Sequence, residues 1–177
     1  METERLTIRP FELTDAADLQ AILGDAETMT FVEPPYDLAQ TEAFLRDFCI
    51  GRQGAQAAVL RETGQVIGYL LFKPLEPEVY ELGWIFHRAF WRQGYAYEAC
   101  RALVRHAFET LNAHKVTAET IDPVKSAGLM RKLGMRQEGV QRLHTRDNDG
   151  RWRDLYLYGL LREEVGHGKK PVGAGLD

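Results

Sequence analysis

From Val79 to Leu111 the chain passes from a strand into a long amphipathic helix through a turn carrying one glycine, an order that calls for a helix packed back onto a sheet. Val79-Tyr80-Glu81-Leu82-Gly83-Trp84-Ile85-Phe86 is rich in aromatic and β-branched residues and predicts a strand, with Gly83 marking an interior bulge. Beyond the turn, Ala96, Ala99, Cys100, Leu103, Val104, Ala107, Phe108 and Leu111 recur at helical spacing. Glu98, Arg101, Arg105 and Glu109 fall on the opposite side, and Asn112 is the stop. The junction itself, Phe90-Trp91-Arg92-Gln93-Gly94-Tyr95-Ala96-Tyr97, is a place for an anion. A helix start leaves backbone N–H groups without partners and carries a positive partial charge, so a diphosphate can settle there. The chain has neither G-x-x-x-x-G-K-S/T nor G-x-G-x-x-G, which disfavours a nucleotide triphosphatase or a dinucleotide fold.

The rest of the pattern surrounds this unit with an α/β domain. A strand at Arg5 to Phe11 precedes a helix with Thr14 as its N-cap and Asp15 and Asp18 in its first turn. After Pro34 and Pro35, Asp37-Leu38-Ala39-Gln40 forms a capping box for a second helix with Phe44, Leu45 and Phe48 on its apolar face. Gln56 to Arg61 and Gln65 to Lys73 read as a hairpin about Glu62-Thr63-Gly64. A strand at Lys115 to Ile121 leads to a short helix, capped by Asp122, begun by Pro123 and ended by Gly134. Two long strands then meet at Asp147-Asn148-Asp149-Gly150. The order implies a single domain over residues 1–165: a mixed, mostly antiparallel sheet of about seven strands, flanked on both faces by about four helices. Residues 166–177, rich in glycine, form an expected disordered tail.

Composition narrows the function. A chain of 177 residues with net charge −4 lacks the basic excess of a nucleic-acid binder, so no nucleic-acid partner is expected. The longest apolar run, Val66 to Phe72, is too short to span a bilayer, and no membrane partner is expected. Cys49 and Cys100 fall in helices and read as reduced thiols of a cytoplasmic protein, Cys100 as part of the core. The histidines have no metal-ligand spacing, so no metal is expected; His87, just before the glycine turn, is either incidental or a contact to a ligand there.

Trp91-Arg92-Gln93-Gly94-Tyr95-Ala96 followed by Glu98-Ala99 resembles the acyl-CoA pyrophosphate loop of the GNAT N-acetyltransferase superfamily, Q/R-x-x-G-x-G/A. It is most similar to the branch of ribosomal-protein alanine N-acetyltransferases, in which an aromatic residue such as Trp91 often leads the motif. Leu6-Thr7-Ile8-Arg9-Pro10-Phe11, Leu129-Met130-Arg131-Lys132-Leu133-Gly134-Met135 and the run from Gly150 to Leu161 agree with that branch in order. The resemblance, from about Leu6 to Glu164, implies an acetyl-CoA co-substrate, an amine acceptor and a monomer or a homodimer joined through sheet edges. It implies that amides of Arg92, Gln93, Gly94, Tyr95, Ala96 and Tyr97 hold the diphosphate. The strand at Trp84, Ile85 and Phe86 would splay from its neighbour to receive the pantetheine arm. Ser126, the surviving residue of an N-x-x-S pattern in which Pro123 replaces the asparagine, would contact the cofactor and protonate the departing thiolate. Glu81, a carboxylate beside the acetyl-binding segment, is the candidate base, acting through water. Tyr36, Trp152 and Tyr156 are candidates to line an acceptor pocket made by the first two helices and the last hairpin. A catalytically degenerate acyl-CoA-binding module and an unrelated phosphate-binding protein remain the alternatives.

Overall fold

Period-two burial gives the sheet two apolar faces. In β2 (Ala55–Leu60), Ala57 and Val59 enter one core while Ala58 and Leu60 enter the other. The remaining strands are β1 (Leu6–Pro10), β3 (Val66–Glu76), β4 (Val79–Phe86), β5 (Lys115–Thr120), β6 (Arg136–Arg146) and β7 (Trp152–Leu161). They form one seven-stranded sheet of order β1-β2-β3-β4-β5-β7-β6, in which only the β4–β5 pairing is parallel. The computed structural model describes residues 1–165. The tail expected to be disordered lies outside them.

The helices divide between the faces. On one side lie α1 (Ala16–Leu23) and α2 (Leu38–Phe44), the latter continued by a π-helical segment, Leu45–Ile50. They pack Leu19, Ile22, Leu23, Leu45 and Cys49 against Ala57, Val59 and Tyr69. On the other side lie α3 (Tyr95–Glu109) and α4 (Lys125–Lys132), whose Leu103, Val104, Phe108 and Met130 meet Ile67, Leu70, Leu82 and Val116. Burying Leu103 and Phe108 contributes roughly 1.5–3 kcal/mol each, which holds α3 where its first turn meets the end of β4.

Local signals set several boundaries. Asp37 accepts the Gln40 N–H at 2.8 Å, and Gln40 returns the bond to the Asp37 N–H, the reciprocal cap predicted for α2. Asp122 Oδ1 accepts from the N–H groups of Val124 and Lys125 and so opens α4; Gly134, at φ 90°, ends it. Two expectations fail. Thr14 does not cap α1: Asp15 takes the Glu12 N–H and both Arg9 guanidinium Nη atoms, and a 3-10 turn, Leu13–Asp15, precedes the helix. Gly83 is not a bulge, because β4 stays in register with β3 through it. The irregularity lies between Pro74 and Glu76, and Gly83 instead lets β3 approach, since a Cβ there would sit 3.2 Å from that of Leu71.

Candidate active site

After β4 the chain makes a 3-10 turn, Arg88–Phe90, and then takes left-handed conformations at Arg92 (φ 60°) and Gly94 (φ 86°) before α3 begins. The result is a row of backbone donors. Among the described residues, no N–H from Arg92 to Tyr97 has an internal acceptor, and the first paired amide of the helix is Glu98 N–H to Gly94 O, at 3.0 Å. Trp91 Nε1 donates to Phe86 O at 2.7 Å, pinning the loop to the end of β4. Gln93 contributes its main chain to this row, for its side chain turns back to donate to Ala89 O. His87 is occupied structurally: its Nδ1 accepts the Ala89 N–H at 3.2 Å.

A brace from the start of the chain supports the loop from behind. Arg5 Nη1 donates to Gln93 O at 2.9 Å, Arg5 Nε donates to Glu98 Oε2 at 2.7 Å, and the guanidinium lies 4.1 Å from the centre of the Tyr95 ring. Glu98 also accepts from Thr3 Oγ1 and the Arg5 N–H. Burial pushes the Glu98 carboxyl up, but these donors outweigh it and hold the group below the usual carboxylate range. The contact joins residues far apart in sequence, so no periodicity or spacing predicts it.

Further cations gather at the same end. Lys125 Nζ lies 4.7 Å from the centre of the Trp91 ring and Lys132 Nζ 4.3 Å from that of Tyr97, and both residues share a cavity wall with Arg92. Neither lysine is assigned to the loop by the sequence pattern, because α4 brings them across from another part of the chain.

The strand pair beside the loop parts as expected. β4 and β5 are matched only from Val79–Lys115 to Glu81–Thr117, whereas β4 remains paired with β3 through Phe86. The edge of β4 from Leu82 onward is therefore open toward β5. A cavity of about 1030 Å³ fills this gap and reaches both faces of the sheet. It brings together Trp84, Ile85, Phe86, Arg92, Gly94, Tyr95, Ala96, Tyr97, Ser126 and Tyr36, all of which line it. Ser126 is half-buried in the first turn of α4.

Other predicted residues lie elsewhere. Glu81 faces the α1–α2 side of the sheet and pairs with Lys73 Nζ at 3.1 Å; Lys73 lines the cavity, while Glu81 stands behind it. Trp152 and Tyr156 are not brought to the cavity. Trp152 is largely exposed with Arg146 stacked at 4.4 Å, and Tyr156 packs against the core on the α3–α4 face. Their strand, β7, is separated from β4 by β5, and that distance in the sheet is invisible in a linear pattern. The hairpin contributes differently: Asn148 Nδ2, in its turn, donates to Met29 O and Glu33 O and holds the loop that walls the cavity. On that wall the Tyr36 hydroxyl donates to Glu33 Oε2, and burial together with this bond pushes Tyr36 up to about 12. Burial also raises Cys49 to about 12 and Cys100 well above the usual thiol range, so neither is poised as a nucleophile.

The sequence profile described as Acetyltransferase (GNAT) domain matches residues 5–136. The uncharacterized N-acetyltransferase YnaD of Bacillus subtilis is 32% identical over 170 residues, covering 92% of this chain and 96% of that protein. The crystal structure of a GNAT-family acetyltransferase from Bacillus anthracis superposes with a TM-score of 0.84 at 27% identity, covering 92% of this chain and 98% of the other. That of the ribosomal-protein-S5-alanine acetyltransferase from Vibrio fischeri shares the fold, with a TM-score of 0.75 at 18% identity over 97% of this chain and 98% of the other. With a row of free amides at a helix start, a parted strand pair and these relatives, the chain belongs to the GNAT acetyltransferase family and is an acetyltransferase.

Proposed function

We propose that the protein transfers the acetyl group of acetyl-CoA to a primary amine by direct attack within a ternary complex. The observation that carries this reading is the parting of β4 from β5 inside a cavity that meets free amides on one face of the sheet and aromatic side chains on the other. The N–H groups from Arg92 to Tyr97 receive the diphosphate, with Arg92, Lys125 and Lys132 screening its charge. The open edge of β4 at Trp84, Ile85 and Phe86 takes the pantetheine as an added strand, and a backbone N–H there stabilises the carbonyl oxygen as charge develops on it.

Both reactants held in line remove about 7–11 kcal/mol of the barrier. The N–C bond forms as the C–S bond breaks, giving an amide and the CoA thiol, with one proton released to solvent. Ser126 supplies the proton of the thiol, and Glu81, positioned by Lys73, draws the proton of the amine through water. An amine with a pKa of ~10.4 costs roughly 4.6 kcal/mol to deprotonate at pH 7, whereas one near ~7.8 costs about 1 kcal/mol. The two cysteines are unpaired and buried, which supports a reducing compartment and a cytoplasmic location.

Initial rates of thiol release, with acetyl-CoA and a panel of amines both varied, test the proposal. Intersecting double-reciprocal lines are expected. Parallel lines refute direct attack, and CoA binding with no thiol release from any amine returns the protein to a binding module.

A further inference from the structure

We infer that the acceptor is a small monoamine with an aromatic or branched apolar body, its ammonium received by Glu119; this rests on the amine-acetylation reading above. The α1–α2 side of the cavity is a chamber of rings. Phe44 stands edge-on to Tyr36 at 5.6 Å, stacks on Phe48 at 5.1 Å and meets Tyr69 at 5.8 Å. Leu71 and Ile85 from the sheet complete the wall. Tyr69 is 8% exposed, so an apolar body entering here leaves water for a surface that is already largely dry.

The charges of this wall point the same way. Glu27 is held by Arg88 at 2.7 Å, and Glu33, exposed at the rim, already accepts the Tyr36 hydroxyl. Glu81 and Lys73 neutralise each other. Glu33 and Glu119 both line the cavity, are exposed, and among the described residues pair with no cation; Glu33 already accepts the Tyr36 hydroxyl, whereas Glu119 stands at the parting of the strands with its carboxylate unused. It lies on β5 two positions beyond Thr117, the last residue matched to β4. Strand alternation puts it on the same face as Thr117 and Glu81, opposite the position of Gly83 across the gap. A carboxylate at the parting of the strands and rings beyond it fit one ammonium and an apolar body. A polyamine would set its further ammonium groups against the rings and beside Lys73, and the other carboxylate without a cation partner, Glu33, stands out at the exposed rim and already accepts the Tyr36 hydroxyl.

Turnover of phenethylamine and isoamylamine is compared with that of spermidine, putrescine and an alanine-led peptide, each with saturating acetyl-CoA. The apolar monoamines are expected to exceed spermidine by about 10- to 100-fold in kcat/KM, the range that burial of a phenyl or branched group provides. Phe44→Ala should erase most of that advantage, and Glu119→Gln should raise the amine KM about tenfold while leaving the KM for acetyl-CoA within twofold. Spermidine, putrescine or the peptide as the better substrate overturns the inference and leaves amine acetylation standing. An unchanged amine KM in Glu119→Gln overturns the role of that carboxylate. Absence of thiol release with every amine strikes the acetylation reading itself.

Discussion

Glu98→Gln tests how the Gly94 loop and its free amides are held. The carboxylate accepts from Thr3 Oγ1 at 2.6 Å and from the Arg5 N–H and Arg5 Nε at 2.7 Å each, with its side chain 16% exposed. A glutamine of the same shape keeps an acceptor for some of these donors and turns its own N–H groups toward the rest. Hydrogen bonds to a charged group are worth about 1.5–3 kcal/mol each. The Arg5 side chain is 38% exposed, so its ion-pair share is screened toward the surface value of about 0–1 kcal/mol. The loss is then about 2–3 kcal/mol at pH 7, less than the total stability of an ordinary domain, so the variant remains folded. Arg5 is freed from its clamp on Gln93 O, and acetyl-CoA affinity falls about tenfold as the loop loosens, a change of about 1.4 kcal/mol. The carboxyl is depressed in the folded state, so its stabilisation is complete above the unfolded value near ~4.3 and is lost as pH falls through the lower folded value. Urea unfolding should therefore separate the two proteins at pH 7 and bring them together in acid. Equal midpoints at pH 7, or a separation that persists undiminished in acid, would refute the reasoning, as would unchanged CoA affinity by calorimetry.

Gly94→Ala forces a side chain into φ 86° at a cost of about 1–2 kcal/mol, which the free variant sheds by relaxing the loop and must meet again on binding, expected as a 5- to 30-fold loss of CoA affinity by calorimetry with little change in folding cooperativity. Glu81→Gln should lower kcat about 100-fold while CoA affinity holds; an unchanged rate from pH 6 to 9 removes Glu81 as the proton acceptor. The double variant Lys125→Ala and Lys132→Ala should weaken CoA binding and flatten its dependence on salt, measured by titration across ionic strength, because both cations line the cavity beside the free amides of the Gly94 loop.

Short-range patterns were legible. The apolar stripe of α3, the Asp37–Gln40 cap, the Asp122 cap and the hairpin turn at Gly150 each lie within a few residues, so local chemistry suffices to place them. The resemblance in the Gly94 loop carried the parting of β4 from β5. Gly83 misled because a strand glycine permits either a bulge or close approach of a neighbour, and only the pairing with Leu71 distinguishes them. Thr14 misled because Arg9, on the preceding strand, draws Asp15 into the bonds that shape the start of α1.

The amino-acid order alone thus specified the elements, the two-faced sheet and the glycine turn at the start of α3, since each depends on neighbours along the chain. Which side chains line the cavity depended on the packed fold. Sheet order kept Trp152 and Tyr156 from the cavity, the Lys73 pairing set Glu81 behind its wall, and contacts across the whole chain brought Arg5 to the loop. Such contacts join residues remote in sequence, and they become neighbours only when burial of both faces of the sheet closes the chain around them.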